Sequence, residues 1–142
     1  MKKTLGSFLF GAILLAASPS LADVLNFHAD MKGSAEVPAT TSPGTGTLDA
    51  SYDTSSKALS YTATYQGLTG AATAAHFHGP ADATQAAGVV VPVAGTGFAT
   101  PIKGSATLTD AQAADLQAGK WYFNIHTAAN PNGEIRGQVM KK

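Results

Sequence analysis

Cysteine is absent from the 142 residues of this chain. Its absence excludes disulfide bonds, thiolate zinc sites, iron–sulfur clusters and the blue copper centre that a cysteine ligates. A cysteine nucleophile is excluded as well, and the sequence contains neither a Gly-x-Ser-x-Gly run nor a Walker-type phosphate loop. A metal ion bound by this chain must therefore be held by nitrogen and oxygen atoms, with the thioethers of Met31 and Met140 as alternative donors.

Charge of either sign is also scarce. Nine basic and nine acidic side chains give a formal net charge of zero at pH 7. Without a basic patch, the chain has no electrostatic attraction for nucleic acid or for an anionic lipid surface. We therefore expect neither of them as a partner.

A long hydrophobic run is missing too. The apolar run at residues 5–17 is shorter than the about 20 residues that a membrane-spanning helix needs. Because two lysines precede it and a small-x-small sequence follows it, this run predicts a signal peptide of the bacterial Sec type over residues 1–22. We expect a periplasmic or secreted protein with one domain over residues 23–142 and no membrane insertion once the signal is removed.

Short segments rich in Val, Thr, aromatic and small residues fill the rest of the chain, and Gly, Pro, Asn and Asp separate them. They predict seven or eight strands and one short helix, which begins at Thr109 or Asp110 and ends at Gly119. This pattern predicts an all-β fold, an antiparallel Greek-key β-sandwich or barrel of the immunoglobulin-like or superoxide-dismutase-like kind. The predicted strands cover residues 24–31, 46–52, 59–65, 74–78, 88–93, 102–108, 121–126 and 134–140.

The residues most able to carry chemistry are the four histidines. His76 and His78 are two positions apart in a predicted strand, so both side chains point to one face. His126 takes the polar phase of another predicted strand, whose apolar residues occupy the opposite face. If the two strands meet, these three imidazoles form a site suited to Cu(II), with zinc as the competitor. His28, on the polar face of the first strand, is a candidate fourth ligand.

Other assignments of these residues stay open. A lone His-x-His is weak evidence, because such histidines are commonly solvated, and His126 could instead hydrogen-bond a loop carbonyl. Asp30 and Asp82 are candidates for a metal ligand or for a partner of one, although acidic loop residues are usually solvated. Glu134 and Arg136 lie in phase on the last strand, a spacing more typical of a cross-strand ion pair than of a catalytic pair. The phase of Met31 points it into the core.

The chain resembles the CHRD domain, the module named from chordin, over nearly its whole length after residue 22. In animals the resemblance implies an extracellular module of growth-factor regulators, and in bacteria an exported single domain. The runs that carry the resemblance are Glu36-Val37-Pro38, Ala75-His76-Phe77-His78-Gly79-Pro80-Ala81, Gly88-Val89-Val90, the segment 108–119, Tyr122-Phe123-Asn124-Ile125-His126-Thr127 and Asn130-Pro131-Asn132-Gly133-Glu134-Ile135-Arg136-Gly137-Gln138.

A weaker resemblance links the chain to the copper–zinc superoxide dismutases, which are Greek-key β-barrels. These enzymes use a His-x-His pair and later histidines for copper, a pattern that His76, His78 and His126 match. The chain lacks their disulfide cysteines, the histidines for a bridged second metal and a recognisable zinc loop. The departures argue against dismutase activity even if copper binds.

Three functions follow as hypotheses. The first is a periplasmic copper-binding protein for storage, delivery or tolerance, with another periplasmic copper protein as a partner and with room for a homodimer that shares the metal. The second is a metal-free adhesion or interaction module, which would use its edge strands and an exposed Tyr122 face. The third is a small copper redox or dismutase-like enzyme, which would need an open coordination position beside Arg136.

Overall fold

The computed structural model describes residue 18, residues 21–95 and residues 97–142. The signal peptide predicted over residues 1–22 lies, apart from residues 18, 21 and 22, outside the described residues. Within the described ranges, no helix is long and apolar enough to cross a membrane.

The described residues form eight strands and one α-helix, and the predicted strand bounds agree with the observed ones within two residues. A short 3-10 turn at Gly33–Ala35 follows the first strand, and the helix begins after its N-cap Thr109. The elements are β1 (Val24–Lys32), β2 (Thr45–Asp53), β3 (Ala58–Gln66), β4 (Ala72–His78), β5 (Val89–Pro92), β6 (Ile102–Thr107), α1 (Asp110–Gln117), β7 (Trp121–Thr127) and β8 (Ile135–Lys141).

All eight strands belong to one sheet, in the order β5-β4-β7-β8-β1-β2-β3-β6. Every pairing in it is antiparallel, and the sheet curls into a nearly closed barrel. The prediction of an all-β antiparallel fold with one short helix is therefore confirmed. Within that sheet β4 and β7 are direct neighbours, although about fifty residues separate them along the chain.

The core fills the concave side of the sheet, because alternate residues of each strand point inward. Phe77 is fully buried at its centre, where its ring centroid lies 5.0 Å from that of Tyr61, 4.8 Å from Phe123 and 5.7 Å from Trp121. Met31 is also buried in this core, as its strand phase predicted, and so it serves in packing.

Strand β7 differs from an ordinary half-buried strand, because all seven of its residues are buried. Its inward row belongs to the core, whereas its outward row consists of Tyr122, Asn124 and His126. Two loops reach over that outward row, since Ala87 and Pro131 both hydrogen-bond to its side chains. The polar face of β7 is thus a second, polar interior, which strand phase alone did not predict.

Glu134, just before β8, ties one of these loops to the barrel. Its fully buried carboxylate accepts hydrogen bonds from the Ser42 hydroxyl at 2.6 Å and from the Thr69 N–H and hydroxyl at 2.7 and 2.8 Å. Side chains of Thr127 and Asn130, in the turn between β7 and β8, donate to the same carboxylate. The predicted cross-strand ion pair with Arg136 is therefore wrong, because donors from three segments already occupy both carboxylate oxygens.

Candidate metal centre

Three imidazoles converge on the outward side of β4 and β7. The register of the two strands places His76 opposite Asn124 and places Ala74 opposite His126. One ligand nitrogen from each of His76, His78 and His126 lies within 4.8 Å of the others. The condition set by the sequence, that the His-x-His strand meets the strand of His126, is therefore fulfilled, and the three side chains lie together.

Two of the imidazoles have their ring protons fixed by the backbone. Nδ1 of His78 donates to the carbonyl of Ala87, and Nδ1 of His126 donates to that of Pro131, both at 2.9 Å. Because a carbonyl can only accept, the proton of each neutral ring stays on Nδ1 and the lone pair stays on Nε2. This is the hydrogen bond by which proteins orient a metal-ligating histidine. The predicted alternative, in which His126 hydrogen-bonds a loop carbonyl, is also correct, and it leaves Nε2 available.

His76 is the most exposed of the three histidines and completes the cluster. Its Nδ1 lies 3.1 Å from Nε2 of His126, and the two ring centroids are 4.8 Å apart. The other two histidines are buried, with 9% of His78 and 8% of His126 exposed. The reading in which these side chains are simply solvated therefore does not hold for His78 and His126.

Burial keeps His76 and His78 in their neutral, ligating form. Desolvation is the main cause of a lowered pKa at His76, and repulsion from the positive charges that His126 and His78 would carry adds to it. Together these effects lower the pKa of His76 to about 4. Desolvation also lowers the pKa of His78, although the Ala87 carbonyl and the Asn124 side-chain oxygen, which would accept from the protonated ring, oppose the shift. At neutral pH a metal ion would not have to displace a proton from an imidazolium on either residue.

A stack of three side chains supports His78. The rings of His78 and Tyr122 lie parallel with centroids 4.8 Å apart, and the Arg136 guanidinium carbon lies 3.4 Å from the Tyr122 ring centroid. Arg136 also donates to the carbonyl of Asp82 at 3.1 Å. Because β7 lies between β4 and β8, Tyr122 separates the guanidinium from His78. Tyr122 is only 3% exposed, so the expected exposed Tyr122 contact surface is wrong.

His28 lies outside the cluster. Strand β1, which carries it, is separated from β7 by β8. Its Nδ1 lies 2.9 Å from an Asp49 carboxylate oxygen and its Nε2 lies 3.2 Å from one of Asp30. The hydrogen bond to Asp49 is the main cause of a raised pKa at His28, against a smaller opposing effect of burial. His28 and Asp30 therefore interact with each other rather than with the cluster, and Asp82 forms an ion pair with Lys120.

Two buried polar residues at the cluster were given no role from the sequence. Asn124 is 2% exposed and places Oδ1 at 2.9 Å from Nε2 of both His78 and His126. Glu36 is 7% exposed and interacts with the Asn124 side chain. Burial raises the pKa of Glu36 to about 7, against the opposing charge of Arg136. The only signal for Asn124 was its place in the polar phase of β7, between Tyr122 and His126.

Comparison with known proteins identifies one relationship. The family model of the CHRD domain matches residues 27–139, a span that includes all four histidines. No curated protein and no solved structure matches the chain.

Proposed function

This chain belongs to the CHRD domain family, whose domain is an extracellular module, and we propose that it binds copper in the periplasm through His76, His78 and His126. The role that we propose is copper storage, delivery or tolerance. The observation that carries the proposal is the convergence of three imidazoles, of which two have their tautomers set by backbone carbonyls.

The donor set and its spacing support copper. Nitrogen-rich sites favour Cu(II) over the other common divalent ions, with zinc as the nearest competitor. The 3.1 Å between Nδ1 of His76 and Nε2 of His126 falls within the about 2.8–3.3 Å that separates neighbouring nitrogens bound at ~2.0 Å to one ion. Little movement of the backbone is therefore needed to bring both nitrogens onto one metal.

The position of His76 supports a role in transfer. As the partly exposed ligand, it offers a route by which an incoming copper protein could reach the ion. A partner protein or a second copy of the chain could supply a further ligand from that side. Arg136, by contrast, approaches the cluster only across the Tyr122 ring, which favours a binding protein over a dismutase-like enzyme.

A Cu(II) titration of the metal-stripped protein tests this proposal. At pH 7 we expect calorimetry to give one ion per chain, and a copper-loaded sample should unfold at a higher temperature than the stripped one. Zinc should bind the same site more weakly. Failure of Cu(II) to bind, with no shift in the unfolding temperature, would instead support the metal-free interaction module that membership of an extracellular family also allows.

A further inference from the structure

The Asn124 side chain faces two imidazole nitrogens with its oxygen atom. Oδ1 lies 2.9 Å from Nε2 of His78 and 2.9 Å from Nε2 of His126. These are the nitrogens that the carbonyls of Ala87 and Pro131 leave with lone pairs. An amide oxygen can only accept as well. Three acceptor atoms therefore meet at hydrogen-bond distance, with no proton assigned to lie between them.

Such an arrangement is repulsive unless a cation lies among the three atoms. Protonating both imidazoles would also relieve the repulsion, but it would place two positive charges side by side on two buried rings. A metal ion would instead use all three lone pairs at once, together with that of His76. The electrostatics of the pocket therefore suit a cation with more than three protein ligands.

The amide is held in this orientation from its other side. Nδ2 of Asn124 and Oε1 of Glu36 both border Gly133, so the amide nitrogen lies on the Glu36 side and Oδ1 lies on the side of the imidazoles. Reversing the amide would instead place Oδ1 beside Oε1 of Glu36, oxygen against oxygen. Gly133 packs against both groups, because a Cβ at this position would clash with Glu36 Oε1 and lie 2.6 Å from Asn124 Nδ2. A backbone φ of +123° at Gly133 makes any other residue there strained as well.

We propose that the Asn124 side-chain oxygen is the fourth ligand of the metal centre and that it makes the site selective for Cu(II) over Cu(I). This inference rests on the copper site proposed above. An amide oxygen is a hard donor that binds Cu(II) and contributes little to the soft Cu(I) ion, whereas imidazole binds both.

Affinities for both oxidation states test the proposal. Asn124→Leu removes the oxygen at similar volume and should weaken Cu(II) binding by about tenfold to 100-fold, with Cu(I) affinity changed by less than about threefold. The reduction potential of the bound copper should then rise by about 59 mV for each tenfold loss. Asn124→Asp keeps an oxygen in place and should hold Cu(II) at least as tightly as the wild type. Competition with a chromophoric chelator for each ion gives the numbers.

A second, half-buried amide supplies the matched control. Gln138 lies on β8 and donates to the carbonyls of Ala81 and Gly119 at 2.8 Å, away from the imidazole nitrogens. Gln138→Leu should lower thermal stability and leave the ratio of Cu(II) to Cu(I) affinity unchanged. If Asn124→Leu does not fold, the wild-type protein labelled with ¹³C-asparagine gives an independent answer, because a bound amide places its carbon in hyperfine contact with Cu(II).

The outcomes separate the two proposals. If the wild type binds copper and Asn124→Leu binds it with the same affinity, Asn124 is not a ligand. The absence of ¹³C coupling in the copper-loaded wild type would show the same. Either result would leave the three-histidine site in place. Equal losses for Cu(I) and Cu(II) in both Asn124→Leu and Asn124→Asp would also overturn it, since they would show a purely structural role. A wild type that binds no copper would overturn the site itself together with this inference.

Discussion

Replacing His126 with alanine is expected to lower the affinity for Cu(II) by at least about 100-fold, more than the loss of an outer hydrogen-bond partner usually costs. Nε2 of His126 lies 3.1 Å from His76 Nδ1 on β4 and 2.9 Å from Asn124 Oδ1 on β7. The substitution therefore removes the nitrogen atom that lies between the other proposed ligand atoms. The fold should survive, because the variant loses only the contacts of one outward side chain. Chelator competition at pH 7 measures the change.

His28→Ala is the matched control for this variant. It removes the same type of side chain from a strand that the structure places outside the cluster, where His28 interacts with Asp30 and Asp49. Its Cu(II) affinity should equal that of the wild type. The three-histidine site would be contradicted if His28→Ala weakened binding as much as His126→Ala, or if neither variant weakened it.

Replacing Glu134 with glutamine should reduce the free energy of unfolding by about 3 kcal/mol at neutral pH, because an amide cannot accept from donors at both of its atoms. The –NH₂ group of the glutamine would face hydroxyl and N–H groups of Thr69, Ser42 or Thr127, whichever way it turned. The donors on that side would then lose their acceptor. Urea unfolding monitored by Trp121 fluorescence measures the loss.

The same carboxylate predicts how stability depends on pH. Although burial alone would raise the pKa of Glu134, hydrogen bonds from Ser42, Thr127 and Thr69 outweigh it and lower the pKa from 4.5 to about 2. A carboxyl with a lowered pKa in the folded state stabilises the protein above its unfolded pKa, and that contribution is lost as pH falls. The wild type should lose about 3 kcal/mol between pH 5 and pH 2 from this group.

Glu134→Gln should not show that loss, so its stability should approach that of the wild type near pH 2. A constant difference in the free energy of unfolding between the two proteins from pH 7 to pH 2 would contradict the assigned role of the carboxylate.

Glu134→Gln should also affect the metal centre, because Glu134 anchors the turn whose Pro131 carbonyl orients His126. The variant should therefore also bind Cu(II) less tightly, by less than His126→Ala does.

Strand phase predicted much of the site. The two-residue period placed His76 and His78 on one face and His126 on the polar face of its own strand, and the structure confirms both. Periodicity could not tell that β4 and β7 are neighbours, because pairing between distant segments depends on the topology of the whole sheet. Nor could it tell that loops cover the outward face of β7, because irregular segments carry no periodic signal.

The same limit explains what sequence reasoning missed. His28 shares the polar phase of its strand with the other candidates, yet only the strand order shows that β8 lies between it and the cluster. Asn124 looked like an ordinary polar strand residue, since its role depends on which protons the neighbouring rings carry. Glu134 was paired with Arg136 by spacing, whereas its real partners come from loops distant in sequence, at Ser42 and Thr69.

The most direct test of the copper site is pulsed electron paramagnetic resonance of the wild-type protein loaded with one equivalent of Cu(II), compared with the alanine variants of His76, His78 and His126. We expect hyperfine couplings from three imidazole rings, with one ring lost in each single variant. A spectrum without imidazole couplings, or one that the three substitutions leave unchanged, would contradict the claim that these histidines form a copper centre.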